Sequence, residues 1–120
     1  MTEILGIARF TFHEGKAAEF KRLSAQCMEV VRAQDTGTLQ YDIYLDDDET
    51  GAVVIERYTD SQSLIDHLAH IGDELMAAMM TTGTIEGETL GAPSPELRAQ
   101  MQDSGVRLFL PYHSLGEGPA

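Results

Sequence analysis

From Ile4 to Phe12 the chain alternates in the manner of a β-strand, with Phe10 and Phe12 on one side and Ile7 and Arg9 on the other. Glu14-Gly15 breaks the alternation, and from Lys16 the period becomes helical. Ala17, Phe20, Leu23, Cys27, Val30 and Val31 then form one apolar stripe, with Lys21, Arg22, Glu29 and Arg32 largely off it. Asp35-Thr36-Gly37 is expected to end this helix, with the glycine as C-cap. Two strands follow. Thr38–Leu45 places Leu39, Tyr41, Ile43 and Leu45 on alternate positions, and Ala52–Tyr58 is its hairpin partner.

Asp60 is a natural N-cap for a second helix over Ser61–Ile71, which Gly72 interrupts before a further helical stretch, Asp73–Met80. Thr82–Leu90 reads as a fourth strand that Gly83 and Gly87 weaken. Pro93-Ser94-Pro95-Glu96 has the form of a helix start leading into Leu97–Gln102, and Val106–Tyr112 reads as a final strand. The order strand, helix, strand, strand, helix, strand is the split βαβ pattern of a ferredoxin-like α+β fold, here with a C-terminal helix and strand extension. A single domain over residues 1–114 is expected, followed by a flexible tail, 115–120.

In this fold both helices lie on one side of the sheet. Yet the strands carry large apolar groups on both sides: Phe10 and Phe12 against Leu5 and Ile7, and Val53 and Ile55 against Val54 and Tyr58. Leaving the second side in water would expose more than the few hundred Å² a monomer usually tolerates. A homodimer is therefore expected, with the strand after the Pro93–Pro95 segment reaching across to the partner.

Charge and composition narrow the partners. Against 8 Lys plus Arg stand 20 acids, a net charge of −12, which opposes nucleic acid and anionic membrane surfaces. The acidic run Asp46–Glu49 lacks the ligand spacing of an EF-hand and reads as a solvated hairpin tip. A lone cysteine, Cys27, no basic leader and no stretch of about 20 apolar residues together suggest a cytoplasmic protein without disulfides or membrane spans. Cys27 lies on the buried stripe and reads as a small hydrophobe. There is no Gly-rich phosphate loop and no Gly-x-Ser-x-Gly elbow.

The candidates for chemistry cluster on the second helix and the strands. His67 shares a helix face with Leu64, Leu68 and Ile71 and should point to the sheet, where an imidazole suits proton transfer near neutral pH; a structural histidine bonded to a carbonyl or to Glu56 is the competing reading. Glu56, on an otherwise apolar strand, needs a partner if buried, and orienting His67 is one role for it. A surface position is the other. His70 and Glu74 continue the stripe of His67, but Gly72 breaks the register, and no metal is assigned. Arg9, Arg57 and Arg107 lie in strands, where one facing a cavity would stabilise an anion. Tyr41 and Tyr58, with Met76 and Met80, are candidate substrate-binding residues, although packing explains each of them equally well.

Three stretches resemble a known family. These are Ala8-Arg9-Phe10-Thr11-Phe12-His13-Glu14-Gly15, Gln40-Tyr41-Asp42-Ile43-Tyr44, and Val54-Ile55-Glu56-Arg57-Tyr58-Thr59-Asp60 followed by Ser63-Leu64-Ile65-Asp66-His67-Leu68. Together they are similar to the antibiotic biosynthesis monooxygenase (ABM)-type domain of the dimeric α+β barrel superfamily, over roughly Ile4–Leu90. The resemblance implies a monooxygenase without metal or flavin, acting on a small aromatic quinol or phenol, with His67 as base, Glu56 as its orienter and Arg9 as anion stabiliser. No cofactor is implied. The chain has no tryptophan, so the Asn-Trp-His constellation of haem-degrading relatives cannot be assembled. A non-catalytic small-molecule-binding dimer, and a structural or interaction module of the same fold, remain the alternatives.

Overall fold

The computed structural model describes residues 3–117. Its elements run β1 (Ile4–Phe12), α1 (Ala17–Gln34), β2 (Thr38–Leu45), β3 (Gly51–Tyr58), α2 (Ser61–Met80), β4 (Gly83–Leu90), α3 (Pro95–Met101), β5 (Arg107–Phe109) and a 3₁₀ turn at Leu115–Glu117. The sheet order is β2-β3-β1-β4-β5, with every pair antiparallel except β4 and β5. Without β5 this is the ferredoxin-like sheet that the element order implied. Of the expected tail, residues 115–117 form the 3₁₀ turn, and residues 118–120 lie outside the described residues.

Strand alternation decides what each side of the sheet meets. Phe10, Ala52 and Val54 turn inward onto α1 and α2, where they join Phe20, Leu23, Cys27, Ile71 and Met79 in the main core. The Phe10 and Phe20 rings meet edge to face, 4.9 Å apart. Phe20 is fully buried, which is worth roughly 2–3 kcal/mol against leaving it in water. A second cluster, Ile4, Tyr58, Leu64 and Leu97, fills the other end of the layer. Leu97 comes from α3, so the extension completes the core. Its entry is fixed twice: the Ser94 hydroxyl accepts from Leu97 N at 3.1 Å, and Ser94 N donates to Ser61 Oγ at 2.9 Å.

The outer side of the sheet carries the odd-numbered residues of β1 and β3. Ile7 stands opposite Ile55 and Leu5 opposite Leu90, all half-buried. Charged pairs frame them, Arg9 with Glu88 at 2.7 Å and Arg57 with Glu3 at 3.2 Å.

The structure corrects the sequence expectations at three points. The final strand is only Arg107–Phe109, and it runs parallel to β4 of its own chain, with Leu108 opposite Thr89. Pro111, which has no N–H to give to a ladder, stands just beyond. Gly37 is not a left-handed C-cap, since the helix closes at Asp35, whose N–H donates to Val31 O. A glycine is needed there for space: a Cβ at Gly37 would lie 2.0 Å from Ser63 Oγ in the first turn of α2. The register of β2 shifts between Thr38 and Gln40, which leaves Leu39 on the surface instead of in the alternation.

Other local expectations hold. Asp60 caps α2 by accepting from Ser63 N at 2.9 Å, and Asp46 closes the acidic hairpin tip by accepting from Thr50 N and Gly51 N. Gly72 breaks α2 with φ 80° and ψ 160°, a backbone state that side-chain-bearing residues avoid. Nothing lies within 4 Å of a Cβ placed there. The cost of Gly72→Ala is therefore backbone strain alone, and it should lower stability by about 1–3 kcal/mol. Urea unfolding checks this through a lower midpoint at constant slope.

Candidate active site

The candidate site forms where the end of α1, the start of β2 and the first half of α2 meet. His67 sits on the face of α2 that also buries Leu64 and Ile71, and its side chain is only 3% exposed. Leu68, expected on the same face, is exposed instead. His67 Nδ1 lies 2.8 Å from Asp35 Oδ2, while His70 Nδ1, one helical turn along, lies 2.7 Å from Asp35 Oδ1. Thr38 Oγ1 donates to Asp35 Oδ2 at 2.7 Å. A single buried carboxylate thus takes two imidazoles and a hydroxyl.

The position of Asp35 makes that arrangement necessary. It is the residue just past the last turn of α1, where the helix dipole is negative and disfavours an anion. Burial also pushes its carboxyl upward. Hydrogen bonds from His70, Thr38 and His67 outweigh that burial and hold Asp35 below the usual carboxylate range. An ionised carboxylate can only accept, so both imidazoles present Nδ1 as N–H. In the neutral ring, His67 Nε2 then carries the lone pair.

Nε2 faces the sheet. Glu56 Oε1 lies 3.9 Å away, beyond hydrogen-bonding range, and accepts instead from the Tyr58 hydroxyl. Burial pushes the Glu56 carboxyl above its ordinary range, against the pull of the Tyr58 hydroxyl and the His67 ring. The rings of Tyr41 and Tyr58 stand 5.4 and 5.3 Å from that of His67, on either strand of the hairpin. Burial, followed by the nearby Glu56 charge, raises both phenols well above the tyrosine norm. Burial pushes the Cys27 thiol up as well. The two carboxyl groups flanking His67 are therefore driven in opposite directions, the pattern that separates an acid from a base.

The structure brings His67, Glu56, Tyr41 and Tyr58 together, but it separates the other expected site residues from them. Arg9 points to the outer side of the sheet, where it pairs with Glu88, because its odd position in β1 is opposite in phase to Phe10. Met76 packs against the main core, and Met80 at the end of α2 is 58% exposed. The orienting contact to His67 Nδ1 is made by Asp35, not by Glu56. Two surface hollows, of about 330 and 310 Å³, lie elsewhere. One is lined by Arg9, Thr11, Tyr44 and Val53 among others, the second by residues around His13 and Gly15, and His67 lines neither. Among the described residues, no group of three or more side chains is placed to hold a metal ion.

Sequence reasoning missed Asp35, Thr38 and the role of His70. More than thirty positions separate Asp35 from its histidines, and Asp-Thr-Gly reads locally as a turn. The one available signal was an acid behind a helix C-terminus, where charge preference argues against it.

The family model for "Antibiotic biosynthesis monooxygenase" matches residues 4–79. None of the curated protein sequences matches the chain. Among solved structures, MupZ from Pseudomonas fluorescens superposes with a TM-score of 0.81 at 21% identity, covering 98% of this chain and 97% of that one. SnoaB, a cofactor-independent oxygenase from Streptomyces nogalater, gives 0.63 at 21% identity over 78% of this chain and 96% of its own. Rv0793 from Mycobacterium tuberculosis gives 0.64 at 24% identity, with 78% and 96% covered. These likenesses are of fold. The one to MupZ takes in α3 and β5, which the family model leaves out.

Asp35→Asn removes the charge that both imidazoles and Thr38 address, and should cost about 2 kcal/mol of stability at neutral pH. The Asp35 carboxyl titrates lower in the folded chain than in the unfolded one, where it returns to about 3.9. The wild-type advantage is therefore complete above that value and fades as pH falls through the folded pKa. Urea unfolding of both proteins at neutral pH and across the acid range would show the gap closing.

Proposed function

We propose, since this chain belongs to the antibiotic biosynthesis monooxygenase family, that it is a cofactor-independent oxygenase acting on a small aromatic quinol or phenol. The observation that carries this reading is the buried Asp35–His67 pair. With Nδ1–H held by an ionised carboxylate, Nε2 is the basic atom, and the Asp35 charge stabilises the imidazolium formed when it takes a proton. Removing the phenolic proton leaves an electron-rich anion that passes an electron to O2. The Tyr41 and Tyr58 rings, 5.4 and 5.3 Å from the imidazole, make its surroundings aromatic, which suits a flat ring beside it. Glu56, whose side chain is 19% exposed against 3% for His67 and Asp35, is the more open of the groups beside Nε2, and a ligand approaches past it. The working unit is a homodimer, in which a second copy covers Leu5, Ile7, Ile55 and Leu90 on the outer side of the sheet.

One observation favours a second reading, a non-catalytic ligand-binding dimer. The hollow lined by Arg9, Thr11, Tyr44 and Val53 lies apart from His67, has no histidine in its lining, and would hold a small molecule away from the proposed base.

His67→Ala should lower oxygen uptake with hydroquinones at least about a hundredfold, while light scattering still reports a dimer. Unchanged turnover removes His67 from the reaction. Under the second reading the wild-type chain is stabilised thermally by aromatic compounds but consumes no oxygen. A stable monomer at micromolar concentration would reject the dimer.

A further inference from the structure

Glu56 sits in surroundings that suit a neutral acid better than an anion. It lies on the inner side of β3 in direct register with Tyr41 of β2, and the Tyr58 hydroxyl bonds its Oε1. The titratable groups facing it are Tyr41, Tyr58, Cys27 and Asp35 at the two ends of the α1 contact, and His67 of α2. On the β1 side its neighbour is Gly6, which brings no charge and leaves room beside the carboxyl. Five of the eight cations are paired elsewhere: Arg9 on Glu88, Arg57 on Glu3, Lys21 on Glu49, Arg22 on Glu19 and Arg32 on Glu29. The one ring able to neutralise Glu56 is His67, and Asp35 already claims it. Burial among these groups pushes the Glu56 carboxyl upward, in the direction that keeps its proton.

We propose that Glu56 is a second catalytic residue, a protonated carboxylic acid that works against His67 across a 3.9 Å gap on an uncharged substrate. The proposal rests on the oxygenase reading. O2 adds to the ring carbon of the phenolate, and the proton that His67 took from the phenol is returned to the distal oxygen, giving a neutral imidazole and a hydroperoxide, H–C–O–OH. His67 Nε2 takes the C–H proton, the electron pair forms C=O, and the O–O bond breaks. The leaving hydroxide takes the proton of Glu56 Oε2 and departs as water. The carbon is oxidised to the carbonyl and the peroxide oxygen is reduced. Glu56 is then an anion beside an imidazolium, and passing that proton back across the gap restores both groups. An anionic substrate would meet Asp35 and the Glu56 dipole with no cation to receive it.

Infrared spectroscopy of the free protein tests the acid without any substrate. At neutral pH a protonated carboxylic C=O band is expected in the wild type, shifted in Tyr58→Phe and absent in Glu56→Gln. Glu56→Gln should also lose oxygen-dependent turnover about a hundredfold, with a hydroperoxide accumulating. Absence of the band in the wild type overturns the proposal, as does undiminished turnover in a folded Glu56→Gln. Tyr58→Phe keeps the test alive if the glutamine variant does not fold. A wild-type chain that shows the band but consumes no oxygen sinks the oxygenase reading itself, and with it the peroxide step, while oxygen consumption without the band sinks only the role of Glu56.

Discussion

One carboxylate joins three segments of this protein. Asp35 ends α1, stands just before β2 through Thr38, and holds two histidines of α2. A charge placed there is opposed by the helix dipole and by burial, so it persists only because every nearby donor turns toward it. The same donors settle the tautomer of His67 and direct its free nitrogen to the sheet. Three segments of the fold meet on one anion.

Around it the fold supplies what the site requires and little else. Alternation in β2 and β3 puts Tyr41, Glu56 and Tyr58 on the inner side, opposite the imidazole, while the same alternation sends Arg9 and Arg57 outward to acids. The result is a polar interior without arginine or lysine beside it. The opposed shifts of Asp35 and Glu56 follow from this separation: one carboxyl gathers hydrogen-bond donors, while burial raises the other against the pull of the Tyr58 hydroxyl and the His67 ring. The C-terminal extension belongs to this frame, because Leu97 packs on Ile4, Tyr58 and Leu64 at the base of the same hairpin.

Much of this was legible in the residue pattern, for reasons that can be named. Period and capping located β1, α1, the hairpin and α2, and Asp60, Gly72 and Ser94 marked boundaries that local chemistry decides. The helical period of α2 likewise implies that His67 faces the sheet. What depended on pairing across space was not legible. The parallel docking of β5 on β4 cannot be inferred from a run of apolar residues, and neither can the shift at Leu39 that puts it outside. Asp35 reads in the sequence only as part of a helix end, because its partners lie on another helix. Arg9 was assigned to the site by resemblance, although the phase of its own strand placed it with Ile7, away from Phe10.

The tight approach at Gly37 has a consequence for how this scaffold can diversify. With Ser63 Oγ occupying the space a methyl group would need, the short connector that bears Asp35 and Thr38 has no slack for a longer side chain or an inserted residue. Variation that retunes selectivity must come instead from segments free to change length. The acidic tip after β2 is the place where the architecture leaves such freedom.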